Sequence, residues 1–170
     1  MSQMKEAAEM RRLGVETPIG VVTLIGTKTQ LFRVELPRDT EPIAHEVPLL
    51  QAGEKYSALM NAEAWLRRYF AGEQVSWDEK AIPDAPAFHR KVYTALCRVP
   101  AGSVVSYQEL ADMAGSPKAA RAVGQAMAKN PLSIFVPCHR VIGSNGGLHG
   151  YGGGLAMKRA LLQHEGAKLK

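Results

Sequence analysis

SYQELADMAGSPKAARAVGQAMAKN, residues 106–130, carries the clearest structural signals in this chain of 170 residues. Ser106 and Glu109 have the spacing of a capping box, which predicts that a helix begins there. Gly115 is suited to end that helix, and Ser116 with the proline after it predicts the start of a second helix. Two short helices joined by a glycine-containing turn are typical of a helix-turn-helix unit, although an ordinary helical hairpin has the same pattern.

The predicted second helix has two unlike faces when its residues are placed about 100° apart. One face contains Ala120, Val123, Gly124 and Met127, and the opposite face contains Lys118, Arg121, Gln125 and Lys129. The residues beside this basic face are alanines, at positions 119, 122, 126 and 128. An arginine among small side chains can approach a duplex closely while the cations meet phosphates. An ordinary solvated face more often mixes both signs of charge, and this face has no acid.

The segment upstream of this unit is also predicted to be helical. FHRKVYTALCRV, residues 88–99, has an apolar stripe and is followed by a proline that ends it. Cys97 lies off that stripe, which indicates a residue that packs on a second face. Residues 78–87 carry two prolines and no apolar period, and they are the predicted linker.

The first half of the chain is predicted to be an α/β domain. VVTLIG (21–26) and LFRVEL (31–36) are strand-like runs on either side of a polar turn. KYSALMNAEAWLRRYFAG (55–72) is predicted to be a helix whose apolar stripe consists of Leu59, Ala62, Leu66 and Phe70. The predicted domains are an N-terminal extension at 1–13, helical or frayed, an α/β domain at 14–80 and a mostly α domain at 81–170.

Composition narrows the function classes. The chain is 46% hydrophobic and 22% charged, which suits one or two small globular domains. No apolar run approaches the roughly 18 residues of a membrane-spanning helix, and the polar start does not resemble a signal peptide. The net charge of +5 fits a nucleic-acid partner, although many basic proteins do not bind DNA. Two cysteines do not make a disulfide framework, so we expect free thiols in a reducing cytoplasm.

One of the two cysteines lies in FVPCHRVIG, residues 135–143. Cys138 could be a metal ligand, half of a disulfide, a nucleophile or a small buried apolar residue. Adjacent side chains point apart, so a water molecule between Cys138 and His139 is expected rather than a direct bond. A carboxylate on the other imidazole nitrogen would make His139 a better base, and such a relay would lower the pKa of the thiol. Arg140 could add positive potential or form a structural ion pair.

The motif PCHRVIG resembles the O6-alkylguanine-DNA alkyltransferases (methylated-DNA–protein-cysteine methyltransferases). SPKAARAVGQAMAKNP precedes it and GYGGGLAMKRALLQHEG follows it, and the resemblance is strong over roughly residues 86–168. The first half is similar only in outline, through the frame TPIG…YFAGE. The resemblance implies a ribonuclease H-like sheet with a helix in the N-terminal domain and a winged helix-turn-helix-like unit in the C-terminal domain.

The resemblance also implies the chemistry. The damaged nucleotide would be flipped out of the duplex, and the alkyl group would pass irreversibly from O6 of guanine, or O4 of thymine, to Cys138. His139, acting through water, would be the base, and Glu165 would orient it. Asn130 would hydrogen-bond the active-site turn. No cofactor and no metal are expected, because the N-terminal half has no cysteine and only one histidine, His45.

Further roles follow from the resemblance. Tyr107 would press on the phosphate of the target nucleotide, and Arg121 would enter the base stack through the minor groove. Tyr151, the carbonyls of Cys138 and Val141, and the Gly152 amide would contact the guanine. The residues expected to contact DNA are Lys118, Ala119, Ala120, Arg121, Gln125 and Arg140.

Some positions depart from the family pattern. His149 lies where many relatives carry a small polar residue, and Ser133 and Gly152 lie where relatives vary, so the range of alkyl groups that the pocket accepts stays open.

We expect the protein to be a monomer. The competing functions are a silent damage-binding protein and a helix-turn-helix regulator that uses Cys138 as a sensor, although the presence of Cys138 argues against the first.

Overall fold

The computed structural model describes residues 9–39, 42–143, 147, 151 and 154–168. The N-terminal half contains a three-stranded antiparallel sheet in the order β1 (Arg11–Thr17), β2 (Gly20–Gly26) and β3 (Leu31–Glu35). The strands β2 and β3 confirm the two predicted strand-like runs. The first strand was not predicted, and residues 11–13, which were assigned to the extension, belong to it. Its sequence gives a weak signal because Val15 is the one residue of β1 that is fully buried.

Helix α1 (Ser57–Phe70) packs against this sheet and confirms the predicted helix. Its buried residues are Leu59, Ala62, Leu66 and Tyr69. Phe70, which was placed on the apolar stripe, is only half-buried, and Tyr69 takes the buried position instead. A step of three residues after Leu66 fits the helical period as well as a step of four, so the sequence pattern did not distinguish the two.

The C-terminal half is mainly helical. Its helices are α2 (Ala87–Leu96), α3 (Tyr107–Met113), α4 (Ala120–Ala128) and α5 (Leu155–His164). Two short strands, β4 (Val105–Ser106) and β5 (Val141–Ile142), pair in parallel. Since α3 and α4 pack on each other and both contact α2, the predicted two-helix unit is present.

The turn between α3 and α4 differs from the prediction at one position. The capping box is formed, since Ser106 accepts the Glu109 backbone N–H and Glu109 accepts that of Ser106. Gly115, at φ 79°, follows the end of α3, and the N–H of Ser116 bonds the carbonyl of Ala111 at 2.9 Å. The prediction that Ser116 caps α4 is wrong, because Ser116 completes the end of α3. Helix α4 starts later, after Ala119.

The two halves share one hydrophobic core, which contains residues of the sheet, α1, α2, α3, α4 and α5. The backbone N–H of Val34 in β3 donates to the carbonyl of Pro131 at 2.8 Å, which joins the sheet edge to the turn before Cys138. This architecture confirms the predicted α/β plus mostly α fold. The predicted domain boundary between residues 80 and 81 stays a prediction.

Within the described part of the chain, no helix has the length and apolar character needed to cross a membrane.

Candidate active site

Cys138 opens a single 3-10 turn, Cys138–Arg140, that leads directly into β5. The residue is 8% exposed, and it lines a cavity of about 590 Å³. This volume is typical of a cavity that takes one small organic group such as a base. Both halves of the chain contribute to the wall, whose residues include Arg33, Asp39, Tyr107, Asn130, Ser133 and Tyr151.

His139, the residue after Cys138, forms a buried pair with Glu165. His139 is 0% exposed, and its Nε2 lies 2.6 Å from Oε2 of Glu165, which follows the last residue of α5. The Nδ1 atom of His139 is buried and has no hydrogen-bond partner among the described residues. The structure therefore brings His139 together with Glu165, the carboxylate that the resemblance implied.

Burial lowers the pKa of His139, and the hydrogen bond to Glu165 only partly opposes this. Burial would raise the pKa of Glu165, but hydrogen bonds from His139 and Arg140 hold it at about 2. Near pH 7 the pair is thus a neutral imidazole and a carboxylate. A neutral imidazole that faces a carboxylate through Nε2 carries its proton there, which leaves Nδ1 as a proton acceptor.

Arg140 belongs to the same buried cluster and is 4% exposed. Its Nε and Nη2 donate to the two oxygens of Glu165 at 2.9 and 3.0 Å, and its Nη1 donates to the Val99 carbonyl at 2.6 Å. These bonds occupy the guanidinium inside the protein, and the expected contact of Arg140 with DNA stays a prediction. The guanidinium forms the structural ion pair that the sequence left as the alternative.

The pKa of the Cys138 thiol differs from the expected direction. Burial raises the pKa of the thiol, while a hydrogen bond from Asn130 and the charge of Lys158 favour the thiolate. The relay was expected to lower this pKa, and it does not do so in the resting protein because burial outweighs the other effects. A thiol with a raised pKa needs a base near it in order to react as thiolate.

Asn130 clamps the turn that leads to Cys138. Its Nδ2 donates to the Val136 carbonyl at 2.8 Å, and its Oδ1 accepts the N–H of Leu132 at 3.1 Å. Within this turn Ile134 has a φ of 76°, a left-handed conformation that a β-branched residue rarely adopts. Strain of this kind persists only where the surrounding contacts hold it, and the Asn130 bonds supply two such contacts.

Two tyrosines, Tyr107 and Tyr151, line the cavity. Tyr107 begins α3, and its ring lies against Gly124 of α4, where an added Cβ would make an ordinary contact at 3.8 Å. The hydroxyl of Tyr151 is buried, and the Ser133 side chain is its polar neighbour. Burial raises the pKa of Tyr151 well above its usual value, so the phenol stays protonated and can donate.

Not every predicted base contact is found at the cavity. Val141 is 1% exposed and is not part of the cavity wall. Its carbonyl accepts a hydrogen bond from Nζ of Lys158 at 2.7 Å. Gly152 and His149 lie outside the described residues.

The basic face of α4 is exposed. Arg121, Gln125 and Lys129 are open to solvent, and Val123 and Ala126 are buried against the core. Lys118 is exposed in the turn before the helix, and Ala119 and Ala120 at the helix start are half-buried. Ala126, which was placed beside the basic face, instead packs inside, where its carbonyl accepts the Tyr93 hydroxyl at 2.8 Å.

Sequence reasoning missed Lys158 and Tyr69. Lys158 is 1% exposed, and Tyr69 donates its hydroxyl to Oε2 of Glu165 at 2.5 Å. A signal for Lys158 was present, because Lys158 and Leu161 of α5 and Glu165 just after it recur at helical spacing. Tyr69 had the same kind of signal on α1.

In the described ranges, no three His, Cys, Asp or Glu side chains are grouped closely enough to hold a metal ion.

Two family models match the chain in sequence order. The ribonuclease-like domain of 6-O-methylguanine DNA methyltransferase matches residues 10–81. The DNA binding domain of 6-O-methylguanine DNA methyltransferase matches residues 87–167, which include Cys138, His139 and Glu165.

Individual relatives agree with these matches. A methylated-DNA–protein-cysteine methyltransferase of Methanosarcina acetivorans is 43% identical over 89% of this chain and 96% of its own length. The Homo sapiens protein of that name is 38% identical over 98% of this chain and 85% of its own length. The crystal structure of Mycobacterium tuberculosis O6-methylguanine methyltransferase superposes with a TM-score of 0.78, at 38% identity over 92% of this chain and 93% of that one. Because both halves match in order and these relatives align over most of the chain, the chain belongs to the methylated-DNA–protein-cysteine methyltransferase family.

Proposed function

We propose that this chain repairs DNA by taking the alkyl group from O6 of guanine onto Cys138. The observation that carries the proposal is that Cys138 lines the cavity while the next residue, His139, is buried and paired with Glu165 at 2.6 Å. A Mycobacterium tuberculosis relative, 40% identical over 92% of this chain with a TM-score of 0.76, was crystallised in complex with DNA.

The proton steps follow from the charges in the cluster. Glu165 holds the His139 proton on Nε2, so Nδ1 accepts the thiol proton of Cys138 through one bridging water molecule. The thiolate then attacks the alkyl carbon, the carbon–O6 bond breaks, and its electron pair passes to the guanine. Lys158 favours the thiolate before attack, since its positive charge acts on Cys138.

The leaving guanine needs a proton donor on the other side of the cavity. The buried Tyr151 hydroxyl remains protonated and can donate to the base as negative charge develops on it. Because the thioether has no leaving group, Cys138 is not regenerated, and each molecule reacts once. O4-alkylthymine is a second candidate substrate of the same chemistry.

The DNA would lie along α4. Arg121 is exposed on a helix that has no acidic residue, and Tyr107 and Gly124 of that helix both line the cavity wall, Tyr107 from the start of α3. We propose that Arg121 fills the stack from the minor groove after the damaged nucleotide rotates into the cavity. Lys118 and Gln125, together with the N-terminal end of the helix, would contact phosphates. We further propose that the protein acts as a monomer in the cytoplasm.

The test combines repair with mapping of the product. The protein is mixed with duplex DNA that contains O6-methylguanine, and its peptides are analysed by mass spectrometry. We expect one added methyl group on Cys138, repaired DNA and no more than one turnover per molecule. Cys97→Ala should react normally, and Cys138→Ala should not react. Recovery of the intact lesion with unmodified Cys138 would reject the proposal.

A further inference from the structure

Tyr69 connects the N-terminal half of the chain to the relay in the C-terminal half. Its residue lies on α1 and is 2% exposed, and its hydroxyl donates to Oε2 of Glu165 at 2.5 Å. The same oxygen lies 2.6 Å from Nε2 of His139. The imidazole that is proposed to take the thiol proton and the phenol of Tyr69 therefore share one acceptor atom.

Aromatic packing fixes the position of this phenol. The ring of Tyr69 stacks on Trp65 with centroids 5.7 Å apart, and Trp65 stacks on Phe135 at 4.4 Å. Phe135 lies three residues before Cys138 in the active-site turn. On the other side, the His164 ring lies 5.0 Å from the Tyr69 ring, and its Nε2 lies 2.9 Å from the Tyr69 carbonyl. The ring is thus held by residues next to both ends of the relay.

The phenol acts as a fixed donor. Burial and the charge of Glu165 raise the pKa of Tyr69 far above its usual value, so the hydroxyl keeps its proton near neutral pH. The Glu165 carboxylate has four hydrogen bonds, from Tyr69, from His139 and from two nitrogens of Arg140. A carboxylate that is fully hydrogen-bonded has a fixed orientation and a reduced basicity.

We propose that Tyr69 is a positioning residue for alkyl transfer, whose hydroxyl holds Glu165 Oε2 against His139 so that Nδ1 faces the thiol. This inference rests on the proposed function, because the relay has a task only if Cys138 must be deprotonated. The N-terminal half then contributes to catalysis directly, through a bond that crosses between the two halves.

Removal of the Tyr69 hydroxyl is expected to change the pKa of His139 in one direction. With one donor fewer, the Glu165 carboxylate attracts a proton on His139 more strongly, so the pKa of His139 rises. The charged or titratable groups that face the pair are Arg140 from the 3-10 turn, Lys158 from α5, Cys138, and Tyr69 from α1. Arg140 and Lys158 act against protonation of His139, and Tyr69→Phe changes neither of them.

The test compares Tyr69→Phe with Tyr56→Phe. Tyr56 is a matched control, because it is also 2% exposed and its hydroxyl donates to one acceptor, the Glu9 carbonyl at 2.7 Å. The pKa of His139 is measured by NMR titration, and the single-turnover rate on O6-benzylguanine is measured from pH 5 to 9.

We expect Tyr69→Phe to raise the pKa of His139, to move the acid limb of the rate profile to higher pH and to lower the plateau rate about tenfold. Tyr56→Phe should change neither the titration nor the profile. Substitution of 3-fluorotyrosine at position 69 makes the phenol a stronger donor, and it should lower the pKa of His139.

A purely structural role gives a different result. If Tyr69→Phe and Tyr56→Phe lose similar stability while His139 titrates as in the unsubstituted protein, Tyr69 is not a positioning residue. If Tyr69→Phe does not fold, the protein with 3-fluorotyrosine at position 69 provides the test. An unchanged pKa of His139 in that protein also overturns the inference. The titration does not depend on alkyl transfer, so a failure of the proposed function would be seen separately, as an unsubstituted protein that does not react.

Discussion

Cys138 shows why a thiol in this position depends on its immediate neighbours. Burial alone makes a thiolate costly, because the charge loses its hydration. Asn130 and Lys158 oppose that effect, and the neutral His139 offers a base with its proton already held on Nε2 by Glu165. The thiol is thus kept neutral at rest and is placed where its proton can leave when an electrophilic carbon enters the cavity.

Substitution of Asn130 tests how much Cys138 depends on a neighbouring side chain. Asn130→Ala would leave the buried Val136 carbonyl without its side-chain donor and would release the turn that holds Ile134 at positive φ. We expect a loss of about 1–3 kcal/mol in the free energy of unfolding, since the N–H of the buried Leu132 loses its acceptor, Oδ1 of Asn130. The pKa of Cys138 should also rise, and its reaction with iodoacetamide should slow.

Chemical denaturation and the pH dependence of the iodoacetamide reaction measure these two effects. Asn61→Ala is the control, because Asn61 is exposed on α1. A variant at position 130 that loses stability but keeps the reactivity of Cys138 would limit Asn130 to a structural role.

At the scale of elements, the DNA contact proposed for α4 predicts that DNA binding and alkyl transfer can be separated by mutation. Arg121 is exposed and does not line the cavity, so Arg121→Ala should leave the chemistry of a free base unchanged. We expect repair of O6-methylguanine in duplex DNA to fall at least about tenfold, because the flipped nucleotide is no longer replaced in the stack. The reaction with free O6-benzylguanine should stay within about twofold.

The control for this prediction is Arg67→Ala, which removes an exposed arginine from α1, where Glu63 is its partner. Single-turnover rates on the two substrates give the measurement. An equal loss on both substrates by Arg121→Ala would contradict the role in the stack.

Local signals predicted the helices well and the site only in part. The capping box at Ser106 and the apolar stripe of α1 depend on neighbours in sequence, so they could be found without the fold. The raised pKa of Cys138 and the burial of Arg140 depend on contacts with α5 and with Val99, which are remote in sequence. The resemblance to the family supplied Glu165, but it did not supply Tyr69, because that contact joins two halves of the chain.

At the scale of the whole molecule, the buried cluster makes stability depend on pH. Glu165 has a folded pKa of about 2, below its usual value of 4.5, so its stabilising contribution is present above pH 4.5 and is lost as the pH falls toward 2. His139 has a lowered pKa, so the unfolded state binds its proton first, and stability falls as the pH drops below 6.5. Both groups make the folded protein sensitive to acid.

Glu165→Gln tests this dependence. At pH 7 the variant should lose about 3–5 kcal/mol, because Arg140 remains buried without its counter-charge. Between pH 5 and pH 3 it should lose less stability than the unsubstituted protein, since the carboxylate that titrates there is gone. Urea unfolding at several pH values gives the comparison, with the surface residue change Glu63→Gln as control. Parallel curves for the unsubstituted protein and Glu165→Gln would show that other carboxylates cause the acid sensitivity.

The shared core predicts that the two halves unfold together. The Val34–Pro131 backbone bond, the Tyr69–Glu165 bond and the Trp65–Phe135 stack all join the sheet and α1 to the active-site turn and α5. Tryptophan fluorescence reports on Trp65 and Trp77, both in the N-terminal half, and the NMR signal of His139 reports on the C-terminal half. We expect both signals to change at the same denaturant concentration, as in a two-state transition. A tryptophan transition that precedes the His139 transition would mean that the C-terminal half can stay folded without α1, and in that case Tyr69 could leave the relay before the rest of the site is lost.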